Sequence, residues 1–196
     1  AAVGRGKEIV IEADESDSSF LKFSPDIEVI TNIEEEHLEH FHNIHNIERA
    51  YKNFIDRMPT NGQWFGCSED PRVLALSRMN SRASTLYGFD ASVSGVYATD
   101  IVECPEGRRG VVFKAWQKGT VLGEIKMQII GRHNVLNALA AVSVGLKLGI
   151  DFSVIQRALA KYEGAGRRFD VKYEDNQFLV VDDYAHHPTE IRKTLN

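Results

Sequence analysis

Carboxylates gather at two points in the first forty residues. Ile9-Val10-Ile11, an apolar run of strand type, leads directly into Glu12, Asp14, Glu15 and Asp17. Glu28-Val29-Ile30-Thr31-Asn32-Ile33 reads as a second buried strand, and it runs into Glu34, Glu35, Glu36 and His37. In an open α/β sheet, ligands bind beyond the carboxyl ends of the strands. Hard divalent cations select carboxylate oxygen, and magnesium keeps several waters while taking one or two protein oxygens plus phosphate. Two neighbouring strand ends of this kind imply one shared magnesium–phosphate site. Glu12 is its last side chain in strand register, and His37 reaches the same pocket. A solvated acidic loop is the competing reading. His40, His42 and His45 follow His37 at a spacing loose for zinc, and no cysteine joins them.

Three further constellations carry polar chemistry. In Gly131-Arg132-His133-Asn134-Val135-Leu136-Asn137, His133 and Asn137 lie one helical turn apart, and Asn134 shares a face with Asn137. An amide that both donates and accepts suits the edge of an adenine; helix capping by Asn134 is the alternative. Arg167 and Arg168, set between glycines and Phe169, form a fork that could bind phosphate bidentately, or a plain surface pair. Asp182 and Asp183 end an apolar run and could hold a ribose or a metal, or simply cap. A phosphate loop of the form G-x-x-x-x-G-K-S/T is absent: Gly6-Lys7 is followed by Glu8. Residues alone therefore support an incomplete nucleotide or phosphate site.

Composition bounds the alternatives. The 196 residues carry a formal charge of -5, which argues against a nucleic-acid surface, since that needs a basic stripe. No apolar run reaches the ~18 residues of a membrane span, and no secretory signal is visible. Cys67 and Cys104 form no C-x-x-C pair, so a disulfide framework is not expected and a reducing cytoplasm is the simplest location. Both ends read as those of a fragment.

The elements that would position these groups follow from periodicity. Ser18 to Leu21 starts a short helical turn that Pro25 ends. Apolar residues at Ile47, Tyr51, Phe54, Ile55 and Met58 predict a helix over residues 46–58, with Asn46 as N-cap. Trp64 to Cys67 and Ser84 to Tyr87 read as short strands around a helix that Asp70-Pro71 opens. The sum is β-α-β-α-β with a parallel sheet. From Ser92 to Ile130 the pattern changes to an antiparallel meander with a hairpin tip at Gly119-Thr120, which reads as a small sheet beside the parallel one. Residues 131–148 form the longest helix, closed by Gly149. Ser153 and Gln156 resemble a capping box for a second helix running to about Tyr162. Residues 171–173 and 178–181 are strands, and a helix opens at Pro188.

Four motifs occur in order: Glu12-Ala13-Asp14-Glu15-Ser16-Asp17-Ser18-Ser19-Phe20-Leu21; Thr31-Asn32-Ile33 with His37 behind an acidic run; Gly131-Arg132-His133-Asn134-x-x-Asn137-Ala138; and Gly166-Arg167-Arg168-Phe169-Asp170 followed by Asp182-Asp183-Tyr184-Ala185-His186-His187-Pro188. Together they closely resemble the Mur ligases, specifically an alanine-adding branch. The resemblance implies an α/β fold: a central ATPase domain with a mostly parallel sheet flanked by helices, plus a small antiparallel sheet and the start of a Rossmann-like C-terminal domain. It implies a central domain over residues 1–164, lacking its phosphate-loop segment, and the start of the C-terminal ligase domain over 165–196. It further implies ATP-dependent ligation of L-alanine to the carboxylate of UDP-N-acetylmuramate through an acyl phosphate, in cytoplasmic peptidoglycan synthesis, with ATP and Mg2+ as cofactors and neither nucleic acid nor membrane as partner.

The resemblance also assigns roles. Glu12 and His37 are metal ligands, and Arg168 is a phosphate-binding hinge residue with Arg167 beside it. His133, Asn134 and Asn137 contact adenine, and Asp183 contacts ribose. Asp14, Glu15, His186 and His187 face substrate. Lys52 lies where some relatives carry a carbamylated lysine; an exposed helix lysine is the preferred reading. A recycling ligase that adds murein tripeptide and a non-catalytic nucleotide-binding module remain the alternatives, and weak or no ATP binding is expected of the chain alone.

Overall fold

The computed structural model describes residues 4, 6–103, 109–166, 168–175, 177–186 and 188–195. Its centre is a six-stranded sheet ordered β1 (Ile27–Ile30), β2 (Gln63–Cys67), β3 (Ser84–Gly88), β4 (Val96–Glu103), β5 (Val111–Gln117) and β6 (Thr120–Met127). β1 to β4 run parallel; β5 pairs antiparallel with β4, and β6 pairs antiparallel with β5. The meander is therefore not a separate sheet beside the parallel one. It continues that sheet, because Tyr87 and Gly88 pair with Val96 and Tyr97. The β5–β6 turn is two residues, Lys118 and Gly119, both at positive φ (47° and 81°). That twist suits a tight hairpin.

Alternation along β2 divides the core in two. Trp64 packs with Ile30, Ile47, Phe54, Ile55 and Val73, under α2 (Ile44–Asp56) and α3 (Pro71–Met79). Its neighbours Phe65 and Cys67 belong to the other cluster, with Val135, Leu139 and Val142 of α4 (Arg132–Lys147) and Ile155 and Leu159 of α5 (Phe152–Ala160). Successive strand side chains point to opposite faces, so the sheet is a middle layer covered by helices on both sides. A second, two-stranded antiparallel sheet, β7 (Asp170–Glu174) and β8 (Leu179–Asp182), precedes α6 (Pro188–Leu195). No helix among the described residues is long and apolar enough to cross a membrane.

Several local expectations change. The opening apolar run forms no strand: Ile9 and Val10 are 84 % and 96 % exposed, and β1 is the edge of the sheet. An extended segment is stable as a strand only inside a hydrogen-bonded ladder, and none reaches residues 9–11 among the described residues. The helix predicted from Asn46 starts at Ile44. Its N-cap is Asn43, in extended backbone (φ −160°), whose side chain accepts from the Asn46 N–H at 3.1 Å. Asp151, not Ser153, is the N-cap of α5, and no side chain caps it. Gly149 closes α4 as expected, at φ 74°, with the Ile150 N–H returning to the Gly145 carbonyl at 2.9 Å.

Asp70 links helix formation to strand geometry. Its Oδ1 accepts from the Arg72 and Val73 N–H groups at 2.9 and 2.8 Å, and Oδ2 accepts from the Ile33 N–H at 3.3 Å. Replacing it with alanine is expected to lower stability by ~1–2 kcal/mol. Asparagine keeps a capping oxygen and should restore most of this. Urea unfolding of the two variants checks the expectation.

Candidate functional site

The acidic loop after residue 11 is held by its own hydrogen bonds and by one buried ring. Asp14 Oδ1 accepts from the Ser16 N–H and Asp17 Oδ1 from the Ser19 N–H, each at 2.8 Å. Hydrogen bonding from the Ser16 and Ser19 side chains first, and from these backbone N–H groups second, pulls the Asp14 and Asp17 carboxyls below their ordinary range. The chain then turns through Ser18 in left-handed backbone (φ 63°) into a 3-10 turn, Ser19–Lys22. Phe20 of that turn is 2 % exposed. Its ring lies 5.5 Å from Tyr51 and 5.0 Å from Phe54 of α2. The Ser18 hydroxyl and His40 Nε2 are 2.8 Å apart. Ring and hydroxyl thus press the loop against α2 and the short helix α1 (Leu38–Phe41).

That contact decides which acid meets His37. His37 precedes α1 in left-handed backbone (φ 54°). Ligand atoms of Glu15, Glu36 and His37, all half-buried, lie within 4.8 Å of one another. Glu12, taken in sequence as the partner of His37, is exposed and stands outside this group. With no strand at residues 9–11, there is no strand end for it to extend. Glu36 was not singled out in sequence; its position immediately before His37 was the available signal. Among the described residues His40, His42 and His45 join no comparable group. His45 lies 3.2 Å from Glu48. Lys52 is exposed on α2 and pairs with Asp56 at 2.6 Å.

The α4 residues do come together. Asn134 Nδ2 donates to the Ile130 carbonyl at 2.7 Å and lies 3.2 Å from His133 Nε2; Asn137 Nδ2 reaches Asn134 Oδ1 at 3.5 Å. Asn134 does not cap the helix, whose N-cap is Gly131 at φ 98°. A Cβ at Gly131 would stand 2.5 Å from His133 Cε1, so glycine is needed both for this backbone and for the folded-back imidazole. Arg132 lies 4.3 Å over the Phe89 ring, a cation–π contact that ties the start of α4 to the end of β3.

Toward the C-terminus, Arg168 Nη1 pairs with Glu190 Oε1 at 3.2 Å. Glu190 Oε2 also accepts from the His186 N–H at 3.2 Å. Asp183 accepts from the Phe169 N–H at 2.8 Å and the Ala185 N–H at 2.7 Å, which fastens the Arg168–Phe169 turn to the end of β8. Arg168, Asp183 and His186 are thus gathered through Glu190 and the backbone. Sequence reading passed over Glu190, although an acid in the first turn of a helix after Pro188 is a recognisable signal. Arg167 and His187 lie outside the described residues. Pro188, Thr189 and Arg192 of α6 face Glu34, Glu35, Asp70 and Arg72 across a cleft of about 450 Å³, which brings this cluster to the carboxyl ends of β1 and β2.

Comparisons with known proteins bear on the family and the fold. The Mur ligase middle domain model matches residues 4–145. A UDP-N-acetylmuramate--L-alanine ligase of Pelotomaculum thermopropionicum is 42 % identical over 195 residues, covering 100 % of this chain and 42 % of its own length. The ligase of the same name from Desulforapulum autotrophicum is 44 % identical over 193 residues, covering 98 % of this chain and 41 % of its own. Among solved structures, UDP-N-acetylmuramate-alanine ligase MurC of Thermotoga maritima superimposes with a TM-score of 0.76 at 28 % identity, over 93 % of this chain and 40 % of that one. MurF of Acinetobacter baumannii gives 0.74 at 26 % identity, over 91 % and 38 %. The chain thus spans about two fifths of the length of the relatives it matches. With the family match running through more than half of its residues, the chain belongs to the Mur ligases, by their middle domain.

Proposed function

We propose that the chain carries the nucleotide- and metal-handling part of an enzyme that joins L-alanine to the carboxylate of UDP-N-acetylmuramate, consuming ATP through an acyl phosphate, in the cytoplasm. The observation that carries this reading is the convergence of Glu15, Glu36 and His37 beyond β1, in a chain whose relatives bear that ligase name. Two carboxylates and an imidazole fit Mg2+ or Mn2+, for which oxygen-rich sets are preferred. A divalent ion bound there supplies charge neutralisation to transferring phosphate oxygens. The ligand set proposed is thus Glu15, Glu36 and His37, with Glu12 left as a further acid of the same loop.

The chain's own residues supply the remaining roles. His133, Asn134 and Asn137 offer an amide and imidazole edge for adenine. Arg168 exchanges Glu190 for phosphate, a better bidentate partner for a guanidinium when the nucleotide is present. Asp183 holds the turn and faces ribose with its remaining lone pairs. Asp14 shapes the loop that delivers Glu15, and His186 faces substrate beside Glu190. The boundary between the middle domain and the start of a ligase domain is placed at residues 164–165.

Two measurements test the reading. Mn2+ is expected to broaden the amide resonances of Glu15, Glu36 and His37 selectively in this chain, and His37→Ala should weaken Mn2+ binding ~10–100-fold. Broadening spread over all surface acids, or unchanged in His37→Ala, removes the metal assignment. Placed in a full-length ligase, the chain should support ATP cleavage that depends on L-alanine; cleavage that depends instead on murein tripeptide favours the recycling reaction.

A further inference from the structure

Two of the proposed metal ligands sit on tight turns of the same build. The Ser18 N–H donates to the Glu15 carbonyl at 3.0 Å, so Glu15 opens a turn that Ser18 closes. The His40 N–H donates to the His37 carbonyl at 2.9 Å, so His37 opens a turn that His40 closes. The closing residues then meet: Ser18 Oγ and His40 Nε2 lie 2.8 Å apart and share a hydrogen bond. The opening residues meet as well, with ligand atoms of Glu15 and His37 within 4.8 Å of each other. A single side-chain bond thus fastens the turn over residues 15–18 to the turn over residues 37–40.

Both partners are prepared for this contact. The His40 ring stands edge-on to Phe41, 4.7 Å away at 87°. Phe41 is buried in the cluster under α2 and α3, which limits where the imidazole can swing. Ser18 holds left-handed backbone at φ 63°. Glycine adopts that conformation freely, whereas a Cβ there crowds the following carbonyl. Serine therefore occupies a position that glycine would fill with less strain, and the hydroxyl is what the position gains. The bond is exposed, and water competes for both of its partners, so it adds little to the stability of the whole chain.

We infer that Ser18 and His40 are positioning residues for the metal group, and that their bond sets the separation of Glu15 from His37. Neither is a member of the ligand group itself. Phe20 presses the loop onto α2; the Ser18–His40 bond adds a tie to α1, the helix that His37 precedes. That a divalent ion binds between these turns rests on the proposed function; the clamp between them does not.

The test is run on the whole 196-residue chain. Ser18→Gly is expected to hold or raise the urea midpoint, because backbone strain is relieved, and yet to weaken Mn2+ about tenfold or more. A residue that served stability alone would not separate the two readouts in this way. His40→Ala should weaken Mn2+ by a similar factor, and the double variant should bind no more weakly than either single, since the same bond is lost in all three. His40→Gln, whose amide reaches toward the same hydroxyl, should recover most of the affinity. Without metal, nuclear Overhauser contacts between the Glu15 side chain and the His37 ring should be present in the parent and lost in Ser18→Gly and His40→Ala. Parent-like Mn2+ binding in Ser18→Gly, losses that add in the double variant, or Glu15–His37 contacts that survive in both single variants overturn the clamp. The proposed function fails separately: a parent that shows the Glu15–His37 contacts, loses them in both variants and binds no Mn2+ keeps the clamp and removes the metal.

Discussion

Stability of the chain is expected to fall steadily as pH rises from about 4.5 to about 8, and replacing Glu28 with glutamine should abolish most of that fall. Glu28 is 4 % exposed, and neither carboxylate oxygen has a hydrogen-bond partner among the described residues. It sits in β1 directly across from Trp64 of β2, whose buried Nε1 also finds no partner among them. Desolvation raises its pKa from 4.5 to about 8. Tyr51, whose pKa is raised by burial first and then by Glu15, Glu28, Glu36 and Asp70, stays neutral and adds no second negative charge. The folded state therefore holds the Glu28 proton more tightly than the unfolded chain. The stabilisation this provides is complete below pH 4.5 and is lost as pH climbs through 8. At ~1.4 kcal/mol per tenfold in proton affinity, the loss amounts to roughly 4–5 kcal/mol at most. Asp14 and Asp17, held low by hydrogen bonds, act in the opposite sense and only in acid. Urea midpoints of parent and Glu28→Gln at pH 5, 7 and 9 separate the two effects. The variants should match at pH 5 and diverge at pH 9, with the glutamine form more stable; parallel curves would show that Glu28 is solvated.

Phe20→Ala should produce the other large effect, and on two properties together. Truncating a buried phenylalanine costs ~3–5 kcal/mol through lost transfer energy and the cavity left behind, and here two aromatic contacts to α2 are lost as well. The same ring pins the loop that carries Glu15 to the side of His37. Mn2+ affinity should therefore fall with stability, by more than Phe20→Leu causes. If Phe20→Ala unfolds too easily to assay, Phe20→Leu still reports: lowered stability with unchanged Mn2+ affinity would mean that the loop is positioned without the ring, by its own Asp14 and Asp17 turns and the Ser18–His40 bond.

Glu28 and Phe20 also show where sequence reading reaches its limit. Phe20 was read as part of a short helical turn, and the turn is present. That its ring enters the α2 cluster depends on Tyr51 and Phe54, more than thirty residues away. Glu28 was read as one residue of a buried strand. The strand forms, but period-two alternation cannot tell which of its two faces is covered, and a glutamate is ordinarily assigned outward. Glu190 escaped notice because Arg168 and His186 converge on it only once the pairing of β7 with β8 has brought their two turns together.

Local chemistry by itself determined much of this protein. Asp70-Pro71 started a helix, Gly119 turned a hairpin, Gly149 ended a helix, and His133, Asn134 and Asn137 fell on one helical face, because each depends on residues within a turn or two of chain. The ordered motifs likewise identified the family. Tertiary structure decided the rest: that residues 9–11 lie outside the sheet, that Glu15 and Glu36 rather than Glu12 stand with His37, and that α6 lines an open charged cleft with residues beyond β1 and β2. A strand needs a neighbour to complete its hydrogen bonds, and a cation site needs donors brought together from separate turns. Neither requirement can be read from a single stretch of residues, since both are met only when distant segments pack.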